Sequence, residues 1–277
     1  MNRLLTLAIL FLVAHSGTAQ TGILNPEDPI VIFDAVHPPT PPPYGTLCKW
    51  VKTNRVAWNT TAFKCYYYDG MAFRLKFPKS YSPAADGKTY PLYLFLHGLG
   101  EAGTVYDNEY QLLHGGDVHG NAVDSGVFDG FLLYPQCPGT WGQGQLDIIA
   151  SLITNYLVPQ VKVDPARVVV SGISSGGYAA WEFASSHPQL TAAFVPISGV
   201  AIKDKSYATD LLHIPIWLFQ GGLDGAPSAS VAEDVVSYYK AAGANITYTE
   251  YPTLGHGCWD SAWKEAGYFP WVLKAHK

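Results

Sequence analysis

From Tyr90 onward the chain alternates short, unbroken apolar runs with stretches whose apolar residues recur at helical spacing, and this alternation limits its fold more than any other feature. A run such as Leu92-Tyr93-Leu94-Phe95-Leu96 offers no polar face to water, so it must be a strand covered on both sides. Strands of this kind are predicted at 92–96, 131–134, 167–171, 193–197, 214–219 and 246–251. Between them, Ile148, Ile149, Leu152, Ile153 and Tyr156, and again Val231, Val235, Val236 and Tyr239, repeat as one face of a helix does. The fold class is therefore α/β, with a mostly parallel central sheet and helices on both faces. The intervals between strands are too short to hold a second domain or a large lid.

Upstream the pattern changes. Residues 1–19 read as an export signal, with Arg3 as the positive charge, an apolar run from Leu4 to Ala14, and the small residues Gly17-Thr18-Ala19 before a cleavage point. The run is shorter than the roughly 20 apolar residues that a spanning helix needs. The expected product is extracytoplasmic, secreted or periplasmic, with no membrane span after cleavage. Residues 20–69 form an N-terminal extension that includes the stiff segment His37-Pro38-Pro39-Thr40-Pro41-Pro42-Pro43. A hairpin closed by Asp69-Gly70 then opens the catalytic domain, 70–277.

Composition agrees with one enzyme-sized domain: 48% of the 277 residues are hydrophobic and 14% charged. Without Arg3, 16 basic residues face 22 acidic ones. No basic cluster stands out, which argues against a nucleic-acid partner. Cys48, Cys65, Cys137 and Cys258 make an even count in an exported chain. That is compatible with two disulfides, for which Cys48 with Cys65 and Cys137 with Cys258 is the expected pairing, and equally with four free thiols.

The chemistry concentrates at Gly172-Ile173-Ser174-Ser175-Gly176-Gly177, between the apolar run Val168-Val169-Val170 and a helical stretch. A serine in so sharp a strand-to-helix turn sits on a strained backbone, and glycines two residues to either side remove the side chains that would collide. Its hydroxyl then projects from the carboxyl edge of the sheet, and the amide of Ser175 points at the oxygen of an attacked carbonyl. Ser175 is the other possible nucleophile, but the glycine spacing centres on Ser174.

A serine hydroxyl needs a base, and the base a carboxylate to orient it. Of the downstream histidines only His256 lies in a glycine-flanked loop directly after a predicted strand, whereas His187, His213 and His276 occupy ordinary positions. Asp224 follows the 214–219 strand in the turn Gln220-Gly221-Gly222-Leu223-Asp224 and so emerges at the edge where ligands bind in open α/β sheets. Asp260 is the second choice of acid. The loop Leu96-His97-Gly98-Leu99-Gly100-Glu101 is placed to give a second oxyanion donor, the amide of Leu99. His97, Glu101, Asp107 and Asn108 in and after that loop read as residues that hold it. His114, Asp117 and His119 have a suggestive spacing, but nothing nearby completes a metal site of about four ligands.

Together these motifs resemble the group of α/β-hydrolase superfamily serine esterases that includes polyhydroxybutyrate-depolymerase-like, feruloyl-esterase-like and prolyl-oligopeptidase-type proteins. The resemblance runs from about residue 72 to 273 and rests on Tyr90-Pro91-Leu92 leading into the His97-Gly98 loop, Pro135-Gln136-Cys137-Pro138 with Trp141, the Ser174 turn, and Gly255-His256 with Trp259. It implies the α/β-hydrolase fold, a Ser174, Asp224 and His256 triad, an oxyanion hole from Leu99 and Ser175, and no cofactor. The family often has His-Gly where this chain has Gln220-Gly221. Dienelactone hydrolases share the architecture but use a cysteine nucleophile, and the turn here holds serine.

The expected activity is hydrolysis of a short-chain, aromatic or polymer-linked carboxylic ester, carbohydrate-linked or polyester, through an acyl-enzyme. Trp141 and Trp259 are candidate substrate contacts beside the nucleophile. The alternatives are a serine peptidase of the prolyl-oligopeptidase type and an inactive secreted binding protein on the same fold.

Overall fold

The computed structural model describes residues 24–277, so the expected export signal lies outside the described residues. Eleven strands follow in chain order: β1 (Val31–Ile32), β2 (Leu47–Lys49), β3 (Val51–Lys52), β4 (Phe63–Tyr68), β5 (Met71–Lys76), β6 (Tyr90–Leu96), β7 (Phe131–Pro135), β8 (Val163–Ile173), β9 (Ala193–Ile197), β10 (Ile216–Gly221) and β11 (Ile246–Tyr251). The helices are α1 (Gly116–Ser125), α2 (Gln143–Leu152), α3 (Val158–Val161), α4 (Ser175–Ser186), α5 (Ala208–Leu211), α6 (Ala229–Ala241), α7 (Trp259–Ala262) and α8 (Tyr268–Lys274). A nine-stranded sheet runs β11-β10-β9-β8-β6-β7-β5-β4-β2. Strands β6 to β11 pair in parallel, and β5, β4 and β2 extend the sheet antiparallel.

Each predicted parallel strand is present, with ends moved by a few residues. The largest change is β8, which runs on to Ile173 and delivers the next residue directly above the sheet edge. Alternate residues of β6 enter separate cores: Leu92, Leu94 and Leu96 pack with Ile149 of α2, Trp181 of α4 and Val235 of α6 on one face. Tyr93 and Phe95 pack with Val123 of α1, Ala262 of α7 and Tyr268 of α8 on the other. Burial on both faces is what the unbroken apolar runs required.

The expected boundary at 69/70 falls on the turn between two paired strands. Asp69 and Gly70 have φ of 47° and 84°, the left-handed pair that a two-residue hairpin asks for, and β4 zips onto β5 from Tyr68↔Met71 to Phe63↔Lys76. Part of the 20–69 segment therefore belongs to the main sheet. Within it the stretch 52–60 is fastened by buried charge: Glu109 accepts from Lys52 Nζ, Thr60 Oγ1 and the amides of Arg55 and Val56, beside the fully buried Arg74.

The disulfide expectation is corrected, since all four cysteines are free thiols. Cys48 lies opposite Tyr67, so Cys65 is its diagonal rather than its direct neighbour on β4, at a separation of about 7 Å that a disulfide does not bridge. Cys137 and Cys258 belong to cores on opposite faces of the sheet. No helix among the described residues is long and apolar enough to cross a membrane.

Candidate active site

Ser174 occupies the turn between β8 and α4 with φ 52° and ψ −118°, a conformation that costs a non-glycine residue on the order of 1–3 kcal/mol. Close packing enforces it. A Cβ at Gly176 would stand 1.9 Å from the carbonyl oxygen of Leu96, so only glycine lets α4 descend onto β6 and make the turn this tight.

Three chain segments then converge. The Ser174 hydroxyl lies 2.8 Å from His256 Nε2, and His256 Nδ1 lies 2.8 Å from Asp224 Oδ2. With Nδ1–H donating to the carboxylate, Nε2 is left as the acceptor for the serine proton. The imidazole edge is 40% exposed while the Asp224 side chain is only 2% exposed, which keeps the carboxylate from turning to water instead of to histidine. Asp224 also accepts from Gln220 Nε2 at 3.1 Å and from the Ala226 amide at 2.9 Å. The sequence marks Gln220 only as a departure from the family's His-Gly, and its bond to Asp224 is not legible there, because a glutamine four positions before an aspartate carries no signal until the turn folds it back. Asp260, the second choice of acid, is exposed in the first turn of α7.

A cleft of about 190 Å³ opens above the serine, lined by Gly98, Leu99, Gly100, Glu101, Ile173, Ser174, His256 and Trp259. Larger depressions exist, such as one of about 380 Å³ bordered by Trp58, Lys76 and Asp124, but that one borders neither Ser174 nor His256. Leu99 begins a short 3-10 turn at the cleft wall. The Ser175 amide opens α4, where first-turn N–H groups have no helical acceptor and the helix dipole favours negative charge.

The loop under Leu99 is held by groups that cannot do the base's work. His97 is fully buried: Nδ1–H donates to the Gly98 carbonyl at 2.7 Å and Nε2 accepts from the Cys137 amide at 3.0 Å. Burial pulls its pKa down to about 4, so at neutral pH it is an uncharged tie. Glu101 is buried too, with desolvation raising its pKa, and pairs with His114 at 3.3 Å. Asn108 Nδ2 donates to the carbonyls of Val51 and Val105.

The two tryptophans separate. Trp259 forms one wall of the cleft, its ring nearly perpendicular to His256 at 5.9 Å and 5.1 Å from His114. Trp141 is not at the cleft. It is 7% exposed, packs on His97 and donates Nε1–H to the His97 carbonyl at 2.9 Å. The expectation of a substrate contact there is corrected, because the indole follows its hydrogen bond inward. His119 is buried in a cage of Tyr93, Phe95, Tyr134 and Trp263, far from a metal-ligand arrangement.

Residues 142–267 match the Dienelactone hydrolase family, a span that contains the serine turn, the Asp224 turn and the His256 loop. That group was set apart above for its cysteine nucleophile; the match carries the framework, and the residue in the turn is serine. Two similar proteins carry provisional names. One, a carboxymethylenebutenolidase from Escherichia coli O157:H7, is 33% identical over 102 residues, covering 34% of this chain and 37% of that protein. The other, the esterase NocK from Nocardia uniformis subsp. tsuyamanensis, is 25% identical over 199 residues, covering 63% of this chain and 57% of that protein. Among solved structures, a thermostable esterase superposes with a TM-score of 0.69 at 28% identity over 78% of this chain and 64% of that one. The chain spans less than two thirds of the length of each of these relatives. Sheet order, turn geometry and these likenesses agree on an α/β-hydrolase-like fold, within which residues 142–267 are similar to the Dienelactone hydrolase family.

Proposed function

We propose that this protein is a serine esterase that hydrolyses carboxylic esters through an acyl-enzyme. The observation that carries the reading is the unbroken relay Ser174–His256–Asp224, with both links at 2.8 Å. Ser174 Oγ attacks the ester carbonyl as its proton passes to His256 Nε2, and the carbonyl electron pair moves onto oxygen. The amides of Leu99 and Ser175 meet that oxyanion, and the positive end of α4 adds to them. Collapse of the tetrahedral adduct expels the alcohol, which takes the proton from His256 and leaves Ser174 acylated. Water repeats the sequence and releases the acid. These steps draw on the chain's own residues throughout.

The cleft supports a substrate class. It is small, open to solvent and walled by Trp259 and Leu99, which suits a short or aromatic acyl group, or an ester displayed on a polymer such as a polysaccharide or polyester. The signal-like residues 1–19 support action outside the cytoplasm.

Labelling with a fluorophosphonate probe tests the reading. Wild type should be labelled on one serine, and Ser174→Ala should lose both the label and hydrolysis of nitrophenyl acetate, a fall on the order of 10⁴-fold or more. Folded wild-type protein that resists the probe would remove the esterase reading in favour of a binding protein.

A further inference from the structure

Among the described residues the non-glycine positions with positive φ are Asp69, Lys162, Ser174 and Ser198. Three have a local reason: Asp69 turns a hairpin, Lys162 caps α3, and Ser174 is the serine of the active-site turn. Ser198, at φ 47°, is the fourth, and it is fully buried. It follows β9 at the same sheet edge as the site.

Its contacts reach in three directions. The Ser198 amide donates to the Phe219 carbonyl on β10 at 2.9 Å. Its hydroxyl donates to the backbone carbonyl of His256 at 2.7 Å and touches Cys258 Sγ at 3.2 Å. On either side, the Ile197 carbonyl accepts from the Ser174 amide at 2.9 Å, and a Cβ at Gly199 would come within 2.4 Å of the Ser174 carbonyl oxygen. Residues 197–199 thus grip the nucleophile's backbone with one hand and the base's backbone with the other.

The base loop needs such a hold. The loop is anchored on either side, by the Leu254 carbonyl that accepts from the Leu223 amide at 2.9 Å and by Cys258 buried in the core, but His256 itself lies between Gly255 and Gly257, both exposed and without side chains to pack. Among the described residues the His256 carbonyl has two donors, Ser198 Oγ and the amide of Cys258 in its own turn. Only the first ties it to the rest of the molecule. A strained backbone held in place by its surroundings is a feature that clusters at functional sites.

We infer that Ser198 is a positioning residue whose hydroxyl fixes the His256 backbone at the distance from Ser174 that proton transfer requires. The inference rests on the serine-esterase reading for its kinetic consequence, though not for the geometry itself. Misplacement of a reacting group by about 1 Å can cost 10²-fold in rate. Ser198 does not touch substrate, so binding should be spared.

Glycine separates the two roles a buried serine could have, because it accepts the positive φ without strain while removing the hydroxyl. For Ser198→Gly, kcat for nitrophenyl acetate and the rate of fluorophosphonate labelling should fall roughly 10- to 100-fold. KM should stay within about twofold and Tm should not drop in proportion. Ser198→Ala, which keeps the strain, should lose as much rate and more stability. The same variants, labelled with ¹⁵N-histidine, should shift or broaden the His256 ring signals. A stable Ser198→Gly with wild-type kcat and labelling overturns the inference. If wild type itself is never labelled, the esterase reading falls separately, and unchanged His256 signals in Ser198→Gly then overturn the brace, while shifted ones sustain it.

Discussion

At the scale of single residues, the two tryptophans near the active site do opposite jobs, and the difference is one of hydrogen-bond partner. Trp259 lines the cleft, so truncating it removes contact area from an acyl group bound there. Trp259→Ala should raise KM for aromatic esters several-fold more than for acetate esters, and equal effects on both in steady-state kinetics would deny Trp259 a part in recognition. Trp141 instead satisfies the buried carbonyl of His97, the residue that carries the chain into the Leu99 turn. Trp141→Phe leaves that carbonyl unpaired at a cost of roughly 1–3 kcal/mol, so Tm and kcat should fall together while the order of preferred substrates is kept. A changed substrate order in that variant would mean the indole meets the ligand after all.

At the scale of elements, the catalytic turn depends on how closely α4 approaches β6 and β8. Gly172 and Gly176 remove the side chains between them: a Cβ at Gly172 would stand 2.2 Å from the Gly176 carbonyl oxygen, and one at Gly176 would enter the backbone of Leu96. Both obstacles are backbone atoms that cannot rotate away. Gly176→Ala should therefore lose about 3 kcal/mol or more, or fail to fold, when unfolding is followed in urea. Gly144→Ala is the control, an exposed position in the first turn of α2 with nothing within 4 Å of the added carbon. There the substitution should be neutral or stabilise by up to about 1 kcal/mol. Similar losses at both sites would show that generic glycine effects, rather than the close approach, explain the first.

For the whole molecule, buried ionisable groups set the response to acid. Burial lowers the pKa of His97 to about 4 and that of His119 to about 3, against a usual 6.5. Below 6.5 the unfolded chain takes up protons at these two positions that the folded chain refuses, so their contribution to stability is full above 6.5 and declines as pH falls. Asp204 opposes them. Burial raises its carboxyl pKa to about 7 from 3.8, so its contribution is full below 3.8 and is lost as pH rises through about 7. Between pH 6.5 and 4 the two histidines set two protons against the one at Asp204, a difference of about 1.4 kcal/mol of stability per pH unit, and Glu101, whose carboxyl pKa burial also raises, offsets part of it, so stability should fall on acidification by less than that. Asp204→Asn keeps an acceptor for the Ala201 amide and removes one counterweight, so its stability should fall more steeply than that of wild type in that window. A Tm that stays level from pH 6.5 to 4 in both proteins would contradict this account.

The α/β layering, the parallel strands, the tight serine turn, and the chain order of serine, aspartate and histidine that the fold brings together are all written in the residue pattern. These are legible because they are local: an unbroken apolar run forces burial on both faces, and a glycine pair around a serine admits a turn that other residues forbid. Tertiary structure alone decided the rest. It drew β2 and β4 into the main sheet, turned Trp141 inward and Trp259 to the cleft, kept Cys137 and Cys258 in separate cores, and brought Gln220 onto Asp224 and Ser198 onto His256. Each of these is a choice of side-chain partner or sheet edge made between segments distant in the chain or folded back by a turn. Such choices depend on where packing leaves an unpaired carbonyl or an open face, which no residue pattern records.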